Sequence, residues 1–294
     1  MSPTFSIIIP HYNIPVLLVR CLQSIPIRED IQVIVVDDCS PDADTYKERF
    51  PEFSRPYLEW YSTPQGGSAG RARNIGLEHA KGKWVLFADA DDFFTENLSN
   101  ILEDNKNSAA DVIHFKAEGR DSITLLPSIR HIERNNAIDA YFNNDVNTVE
   151  AALWFTVVWS QMISMSFIKT KEIIFDETIV SNDVMFAAKL ACFADKIKYS
   201  NETLYVITTR NDSLHDSKHK NGKRYIIQQQ VELNFHRFIS AHDVKRTPPC
   251  MLKVIQEAYR SFGFSYALQA MRMIIKENAL FYGLKEYIQR HRKS

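Results

Sequence analysis

Short apolar runs alternate with amphipathic segments through the first third of the chain. Runs rich in β-branched and aromatic residues predict strands at residues 5–10, 32–38, 57–63 and 83–89. Helical spacing of apolar residues predicts helices at residues 15–25 and 69–80 between these strands. This strand–helix rhythm is typical of a largely parallel sheet with helices on its faces. We therefore predict an α/β protein with a mostly parallel sheet.

The pattern changes beyond the first third of the chain. Residues 120–150 are polar and indistinct, and the apolar residues after them predict a helix at 182–194 and a strand at 203–208. Residues 208–224 are polar and basic, which is typical of an exposed mobile loop. The spacing is helical over residues 225–292, so we predict a helical C-terminal extension.

Composition and charge exclude several classes of protein. The formal net charge of the 294 residues is −1, so we expect no nucleic acid partner. The longest apolar blocks are shorter than the roughly 20 residues that span a bilayer. The 4 cysteines are scattered without C-x-x-C spacing, which predicts free thiols in a reducing compartment. The N-terminal stretch lacks a basic region followed by a long apolar core, so we expect no signal peptide.

Three carboxylates follow the fourth predicted strand, in the stretch "KWVLFADADD". Asp89 and Asp91 would share one face if the strand continued that far. Carboxylates this close repel one another unless a cation neutralises them, and hard oxygen ligands suit Mg²⁺ or Mn²⁺. The alternative is a solvated acidic loop in which Asp92 caps the next helix.

Two other predicted strands also end in polar residues. The first ends in "PHYN" at residues 10–13, and the second ends in Asp37 and Asp38. In open parallel sheets, ligands bind beyond the carboxyl ends of the strands. The sequence therefore predicts a ligand site at this edge, where we expect Asp37 to support its own turn.

A glycine-rich segment, "QGGSAGRARNIG", precedes the fourth predicted strand at residues 65–76. Its glycines allow a tight turn or the close approach of a ligand, and Arg71 and Arg73 could face a diphosphate. The segment matches neither the Walker pattern nor the dinucleotide fingerprint. Taken alone, either arginine is more often a partner in a surface ion pair.

Together, these motifs resemble those of the family-2 glycosyltransferases, the inverting enzymes of the GT-A fold. The matching pieces are "SIIIPHYN", "VIVVDDCSPD", "GGSAGRARNIGLEHAKGKWVLFADADD", "VSNDVMF" and "YVITTRNDS", of which the first three cover residues 5–92 in a specific order and spacing. Cys39 departs from the pattern, because the family more often has glycine there. The resemblance implies a Rossmann-like, mostly parallel sheet flanked by helices.

The resemblance also implies roles for individual residues. The nucleoside pocket of such enzymes is lined by positions that match Pro10, Tyr12, Asn13 and Asp38. The segment from Arg71 to Asn74 borders the sugar diphosphate. The position of Asp89 lies near the ribose or the metal, and that of Asp91 coordinates Mn²⁺ or Mg²⁺ bridging the diphosphate.

An inverting transfer needs a carboxylate that takes the proton of the acceptor hydroxyl. The family carries this base in an acidic pair at a helix start, which Asn182 and Asp183 match with Asn in place of the commoner Glu. The resemblance thus makes Asp183 the base, with Asp176 and Glu177 as nearby alternatives. Alternatively, Asp183 is only a negative charge that complements the helix dipole.

The resemblance implies an organisation and partners as well. We expect a GT-A catalytic domain at residues 1–225, with a nucleotide-sugar half at 1–117 and an acceptor half at 118–225, followed by the extension at 226–294. The donor would be a nucleotide sugar, with UDP expected from its frequency in the family. The acceptor would be a carbohydrate or a lipid-linked saccharide used in cell-surface glycan synthesis.

Two regions outside the main motifs carry further hypotheses. The loop at 208–224, with Arg210, His215, Lys218 and His219, could close over the diphosphate or remain a solvated basic loop. Trp154 and Trp159 could contact an acceptor sugar, although core packing is the commoner role.

The aromatic and basic C-terminal helices admit two interpretations. They could rest on a membrane surface, or they could pack on their own domain or on a second subunit as a homodimer. We accordingly expect a cytoplasmic protein, either free or peripheral at the inner face of the membrane.

Three other functions remain open at this point. An aspartyl-phosphate phosphatase also ends a strand in Asp-x-Asp, but here the motif follows the fourth strand, not the first. A nucleotidyltransferase would carry a lysine-bearing, glycine-rich loop after its first strand, where this chain has "PHYNIP". A non-catalytic sugar-nucleotide-binding module would keep Asp38 and Asp91 but lack a working base, and Asn182 keeps that alternative open.

Overall fold

The computed structural model describes residues 2–154, 156–210 and 221–291. Its first four strands are β1 (Phe5–His11), β2 (Ile31–Asp37), β3 (Leu58–Ser62) and β4 (Trp84–Phe87). They pair in parallel in the order β3-β2-β1-β4, as the strand–helix rhythm predicts. Every residue of β1 and β2 is buried, because the sheet is covered on both faces.

The sheet continues into a mixed second half. Its strands are β5 (Phe93–Phe94), β6 (Val112–Asp121), β7 (Pro127–Ser128), β8 (Gln161–Ser164) and β9 (Ile197–Thr209). The order β4-β8-β6-β9-β5 extends the sheet, and β7 pairs with β6. β6 and β9 are parallel, whereas β8 runs antiparallel to both β4 and β6. β5 and β7 are also antiparallel to their partners.

Eight described helices surround the sheet. They are α1 (Pro15–Gln23), α2 (Tyr46–Arg49), α3 (Ala69–His79), α4 (Leu98–Asn105), α5 (Ile132–Phe142), α6 (Thr148–Trp154), α7 (Met165–Thr170) and α8 (Val184–Phe193). Four more lie C-terminal to β9: α9 (Gly222–Ala241), α10 (Met251–Phe262), α11 (Phe264–Lys276) and α12 (Leu284–His291). No helix among the described residues has the length and apolar character needed to cross a membrane.

Alternate residues of β1 feed two separate cores. Ile7 and Ile9 pack with Leu18 of α1 on one face, and Ile8 packs with α3 on the other. α3 approaches the sheet closely at Gly76, where an added Cβ would lie 2.3 Å from Cγ2 of Ile8. A glycine here lets α3 settle against β1, which fixes the start of α3 near the strand ends.

The C-terminal helices pack on the rest of the chain through α9. Phe235 and Ile239 of α9 share a core with Ala188 of α8, whereas Leu233 joins a second core with α10 and α11. The start of α9 touches α11, because a Cβ on Gly222 would lie 2.7 Å from the ring of Tyr266. The domain boundary at residue 225 remains a prediction, three residues after the first residue of α9.

Candidate active site

The three clustered carboxylates lie in a turn, not on a strand. β4 ends at Phe87, and the amide of Asp92 donates a 3.0 Å hydrogen bond to the carbonyl of Asp89. The condition under which Asp89 and Asp91 would share a strand face is therefore not met, because the strand does not continue that far. The amide of Asp89 donates instead to the hydroxyl of Tyr205 at 2.8 Å, which ties the turn to β9.

Asp37 is fully buried and saturated with hydrogen bonds. Its carboxylate oxygens lie 2.8 Å from Nδ1 of His11, 2.7 Å from the amide of Ser40 and 2.6 Å from the Ser40 hydroxyl. Burial opposes the charge and raises the pKa of Asp37, but the bonds from His11 and Ser40 outweigh it and lower the pKa overall. Asp37 thus holds the turn after β2, as the sequence predicts.

Asp38 joins that turn to the glycine-rich segment. The Thr63 hydroxyl donates to Oδ1 of Asp38 at 2.8 Å, and the amide of Gly67 donates to Oδ2 at 3.1 Å. The next residue, Cys39, has a φ of 64°, in the left-handed region that favours glycine. This conformation explains why the family more often carries glycine there.

The predicted nucleoside-binding residues at the end of β1 have different surroundings. Pro10 is buried within β1, and the Tyr12 side chain is exposed beyond the strand. Asn13 adopts a left-handed φ of 52°, and its amide donates to the Ser40 hydroxyl at 2.7 Å. β1 and β2 therefore bring Tyr12, Asn13 and Asp38 to one edge of the sheet.

The first turn of α3 contacts the segment that precedes α8. Nε of Arg71 donates to Oε2 of Glu177 at 2.8 Å. The Asn74 amide group donates to the carbonyl of Phe175 at 3.1 Å and accepts from its backbone amide at 2.9 Å. Gly70 permits this contact, since an added Cβ would lie 2.1 Å from the carbonyl oxygen of Asp176. Donor contacts by Arg71 and Asn74 remain predictions.

Arg73 joins two turns of the site. The sequence identified it as a possible diphosphate contact or surface ion-pair partner, and missed this bridging role. Its guanidinium is buried and donates to Oδ1 of Asn182 at 2.8 Å and to Oδ1 of Asp89 at 2.6 Å. The signal was present, because Arg73 lies three residues before Gly76 and so shares the sheet-facing side of α3. One cation therefore links the acidic turn after β4 to the turn before α8.

Asp91 and Asp92 differ from Asp37 in having few partners for their charge. Nε of Arg210 lies 3.3 Å from Oδ2 of Asp91, and the amide of Thr208 donates to Oδ1 of Asp92 at 2.7 Å. Burial and the neighbouring charge of Asp89 raise the pKa of Asp91. Burial, followed by the charges of Asp91 and Asp89, raises the pKa of Asp92 well above its ordinary value.

The expectation that Asp92 starts the next helix is wrong. Asp92 is buried, and its carboxylate binds the backbone of β9. α4 begins only at Leu98, after the N-cap residue Asn97. The strand pair β5–β9 separates the acidic turn from this helix, so Asp92 belongs to the carboxylate cluster.

Asp183 immediately precedes α8, and its carbonyl accepts the amide of Ala187 at 2.9 Å. The turn before it is constrained, since Ser181 has a φ of 54° and the Asn182 side chain donates to the carbonyl of Thr178 at 3.2 Å. In the part of the chain that the structure describes, the Asp183 side chain makes no capping hydrogen bond to α8. The position thus presents a carboxylate at a helix start beside the Arg73–Asn182 pair.

The acidic turn fits a divalent cation only if the substrate shares it. Among the described residues, no group of three or more His, Cys, Asp or Glu could hold a metal ion. Asp89 and Asp91 offer hard oxygen ligands whose charges raise each other's energy, and both side chains are partly exposed. Mg²⁺ and Mn²⁺ are commonly bound by one or two carboxylates together with substrate phosphates.

The two tryptophans and the basic loop that the sequence singled out have different outcomes. Trp159 is buried and stacks on Tyr205 with a centroid distance of 5.6 Å, so it packs in the core. Trp154 is exposed at the end of α6, and a sugar contact there remains a prediction. The lid prediction rests on residues of which 211–220 lie outside the described part of the chain.

Comparisons with known proteins agree with this geometry. Residues 6–163 match the sequence profile described as Glycosyl transferase family 2. The chain is 25% identical over 222 residues to the poly(ribitol-phosphate) beta-N-acetylglucosaminyltransferase TarS of Staphylococcus aureus. That alignment covers 72% of this chain and 37% of TarS, so the chain spans little more than a third of that relative.

Solved structures show the same fold. S. aureus TarS 1–349 in complex with UDP-GlcNAc superimposes with a TM-score of 0.62 and 20% identity, over 95% of this chain and 84% of that chain. The mannosyltransferase PcManGT from Pyrobaculum calidifontis, in complex with GDP-Man and Mn²⁺, gives a TM-score of 0.55 and 16% identity over 94% of this chain and 76% of that chain.

A sequence profile that covers more than half of the chain and a shared sheet architecture lead to the same class. The chain belongs to glycosyl transferase family 2 and has the GT-A fold. It is related to TarS, a poly(ribitol-phosphate) glycosyltransferase. The predicted fold class and the predicted family are both confirmed.

Proposed function

We propose that this chain transfers a sugar from a nucleotide-diphosphate donor to an acceptor hydroxyl with inversion of the anomeric centre. The observation that supports this most strongly is the link from Asp89 through Arg73 to Asn182, the residue before Asp183. In this proposal, the link joins the turn whose carboxylates would hold a metal–diphosphate to the turn whose Asp183 would be the base. Both groups are needed for transfer by this chemistry.

The donor is a UDP-sugar, and an N-acetylhexosamine is the first to test. This choice rests on TarS, whose name gives it N-acetylglucosaminyl transfer and whose structure holds UDP-GlcNAc. The base and ribose would contact residues at the ends of β1 and β2, namely Pro10, Tyr12, Asn13 and Asp38. Arg71 and Asn74 would border the diphosphate from the first turns of α3.

Mn²⁺ or Mg²⁺ would be held by Asp91 and Asp89 together with the diphosphate oxygens. When bound, it supplies positive charge that stabilises the leaving nucleoside diphosphate. Donor binding would turn Arg210 from Asp91 toward the diphosphate. The Asp91 carboxylate would then bind the cation, which leaves the phosphate oxygens as the better partners for the guanidinium. PcManGT, which shares the fold, is an example that binds Mn²⁺ with its nucleotide sugar.

Asp183 accepts the proton of the acceptor hydroxyl as its oxygen attacks the anomeric carbon. The new bond forms on the face opposite the diphosphate, whose bond to the sugar breaks in the same displacement. Holding acceptor and donor in line supplies a large part of the acceleration. Arg73 is a positioning residue here, because it fixes Asn182 and thereby the turn that carries Asp183.

The relatives support a proposal for the biological setting. We propose a catalytic domain at residues 1–225, with donor and acceptor halves at 1–117 and 118–225, and a helical extension at 226–294. The acceptor is a carbohydrate or a lipid-linked saccharide in cell-surface glycan synthesis, in a cytoplasmic or membrane-peripheral setting. A homodimer or a membrane contact through the C-terminal helices remains a prediction.

Donor turnover by wild type and by Asp183→Asn tests the assignment. UDP-GlcNAc, UDP-glucose and GDP-mannose are incubated with and without Mn²⁺, and release of the nucleoside diphosphate is measured. We expect metal-dependent release by the wild type and a loss of about 1,000-fold in Asp183→Asn. Asp176→Asn is the matched control, because it removes a nearby carboxylate from the same segment.

Four outcomes would overturn parts of the proposal. Equal rates in wild type and Asp183→Asn would remove Asp183 as the base, and a selective loss in Asp176→Asn would transfer that role. A wild type that binds donors in thermal-shift assays but turns none over would favour a non-catalytic module, the alternative that Asn182 supports. In a separate assay, release of inorganic pyrophosphate from a nucleoside triphosphate and a sugar 1-phosphate would indicate a nucleotidyltransferase.

A further inference from the structure

An apolar loop projects from the sheet beside the acidic turn. We use the name apolar tip for residues 123–129, which follow β6, include β7 and precede α5. Ile123, Leu126 and Ile129 are 89%, 65% and 80% exposed, and Leu125 is also exposed. The tip contains no charged side chain and no aromatic ring. Aliphatic side chains this exposed and this close together indicate an interaction surface.

Four successive backbone amides at the start of the tip are hydrogen-bonded. Oδ1 of Asp121 accepts the amides of Ile123 at 3.0 Å and Thr124 at 2.8 Å. The amide of Leu125 donates to the Asp121 carbonyl at 3.0 Å, and that of Leu126 donates to the Thr124 hydroxyl at 3.4 Å. The next residue is Pro127, which has no amide hydrogen. The tip can therefore enter an apolar medium without exposing these amides to it.

Hydrogen bonds tie the tip to the candidate active site. The amide of Ser122 donates at 2.9 Å to the carbonyl of Thr209, which is the residue before Arg210. The guanidinium of Arg20 donates to the carbonyls of Ser122 at 2.7 Å and Asp91 at 2.5 Å. On the other side of the tip, Arg130 donates to the carbonyl of Thr208 at 2.8 Å. The tip is therefore connected by hydrogen bonds to the backbone of the acidic turn and to the end of β9.

We propose that the apolar tip inserts into a lipid bilayer and holds the candidate active site at the membrane surface. Aliphatic side chains and satisfied amides fit hydrocarbon, whereas a specific protein interface usually adds aromatic and polar contacts. The paired segment of the tip, β7, has only 2 residues, which gives a second copy little strand edge to extend. Lipid insertion is therefore the occupant that this chemistry favours.

The uncharged tip also predicts which membranes the protein binds. Within residues 121–132, the charged side chains are Asp121, whose carboxylate accepts the amides of Ile123 and Thr124, and Arg130, whose guanidinium binds the Thr208 carbonyl. These two opposite charges leave no net charge beside the tip, and His131 adds one titratable group. Binding should thus depend on hydrocarbon more than on anionic headgroups. α11 differs, because it exposes Arg272 and Lys276 beside apolar residues and should prefer anionic lipid.

Vesicle flotation of the full chain tests the proposal. Phosphatidylcholine vesicles are used without donor or acceptor, at low and high salt. The tip variant carries Ile123→Ser, Leu126→Ser and Ile129→Ser. The control variant carries Phe264→Ser, Ile275→Ser and Phe281→Ser, at residues that are 73%, 60% and 71% exposed in the C-terminal region. We expect salt-insensitive binding by the wild type and the control, and about a tenfold loss in the tip variant.

Several results would overturn the proposal. Vesicle binding that survives in the tip variant but fails in the control would assign the membrane contact to the C-terminal helices. A wild type that does not float with the vesicles would also contradict the proposal. A concentration-dependent dimer that the tip variant abolishes, without vesicle binding, would make a second copy the occupant.

Two further measurements keep the test independent of other effects. If the triple variant fails to fold, Ile123→Lys changes the most exposed residue of the tip alone and should still weaken flotation. Turnover of a water-soluble donor should be equal in wild type and tip variant. Failure of the vesicle result and failure of the proposed transfer activity are therefore separate observations.

Discussion

Two strands that lie on either side of β1 in the sheet end in carboxylates that have opposite surroundings. Asp37, after β2, accepts hydrogen bonds from His11 and Ser40, and its pKa is lowered. After β4, Asp92 is buried and Asp91 beside it is partly exposed, and the pKa values of both carboxyl groups are raised. A carboxylate whose charge is satisfied within the fold supports structure. Carboxylates that repel one another raise the energy of the ligand-free site, and a bound positive charge would lower it.

The comparison separates stability from activity. Changes at Asp37 should act on folding, and changes in the acidic turn should act on turnover or even raise stability. The four predictions below begin with the largest expected effect.

Asp91→Asn should lower kcat/KM for the donor by about 1,000-fold, because it removes a carboxylate that would share the divalent cation. The free energy of unfolding should not fall, since the ion pair with Arg210 is partly exposed. Steady-state kinetics over a Mn²⁺ titration and urea unfolding measure both quantities. A loss of activity that simply follows a loss of folded protein would contradict the comparison.

Asp37→Ala should lower the free energy of unfolding by about 3 kcal/mol, because it leaves His11 and the Ser40 amide buried without their partner. Asp30→Ala is the control, since the pair of Asp30 with Arg28 is partly exposed and should contribute less than about 1 kcal/mol.

The pH dependence of this difference has a definite sign. The pKa of Asp37 in the folded state lies below its ordinary value of 3.8, so its contribution is complete above that pH. It is lost as the pH falls through the lowered pKa. The difference between wild type and Asp37→Ala should therefore narrow in acid, and a difference that widened there would contradict this account.

Arg73→Lys should lower kcat by about 100-fold and change the donor KM much less. Lysine keeps the charge but cannot hold Asp89 and Asn182 in the same planar geometry. Arg71→Lys is the matched variant, because Arg71 pairs with Glu177 nearer the surface and should mainly raise KM. If Arg73→Lys and Arg71→Lys changed kcat by the same factor and KM by the same factor, Arg73 would not position the base.

Asp92→Asn should raise the free energy of unfolding of the ligand-free protein by about 1 kcal/mol. The side-chain oxygen of Asn can still accept the Thr208 amide, while the buried charge is removed. The folded-state pKa lies above 3.8, so the wild type regains stability as the pH falls toward that value. The advantage of the variant should be largest near neutral pH, and urea unfolding across pH measures it.

Much of the fold could be predicted, because β-branched runs that are buried on both faces have little choice but to form central strands. The ends of β1 and β2 then identified one edge of the sheet. The end of β4 was less predictable, because its pairing with β1 stops at Phe87, opposite Ile8, although the apolar run extends to Ala88. Local pattern could not show that the chain turns at Asp89.

The roles of single residues depended on contacts that are distant in sequence. Asp92 resembles a helix cap until β9 brings the Thr208 amide, 116 residues away, to its carboxylate. Arg73 resembles a surface or diphosphate-binding arginine until Asn182, 109 residues away, accepts its hydrogen bond. The apolar tip lies in residues 120–150, which are indistinct as a pattern because their aliphatic residues follow no helical or strand period.

The order of strands in the sheet has a practical consequence for dividing this protein. The family profile ends at residue 163, inside β8. A fragment cut there would lose β9, which pairs with both β6 and β5 and carries the Tyr205 hydroxyl that anchors Asp89. The shortest autonomous unit must extend through Thr209, so the boundary at which sequence similarity fades is not one at which the chain can be separated.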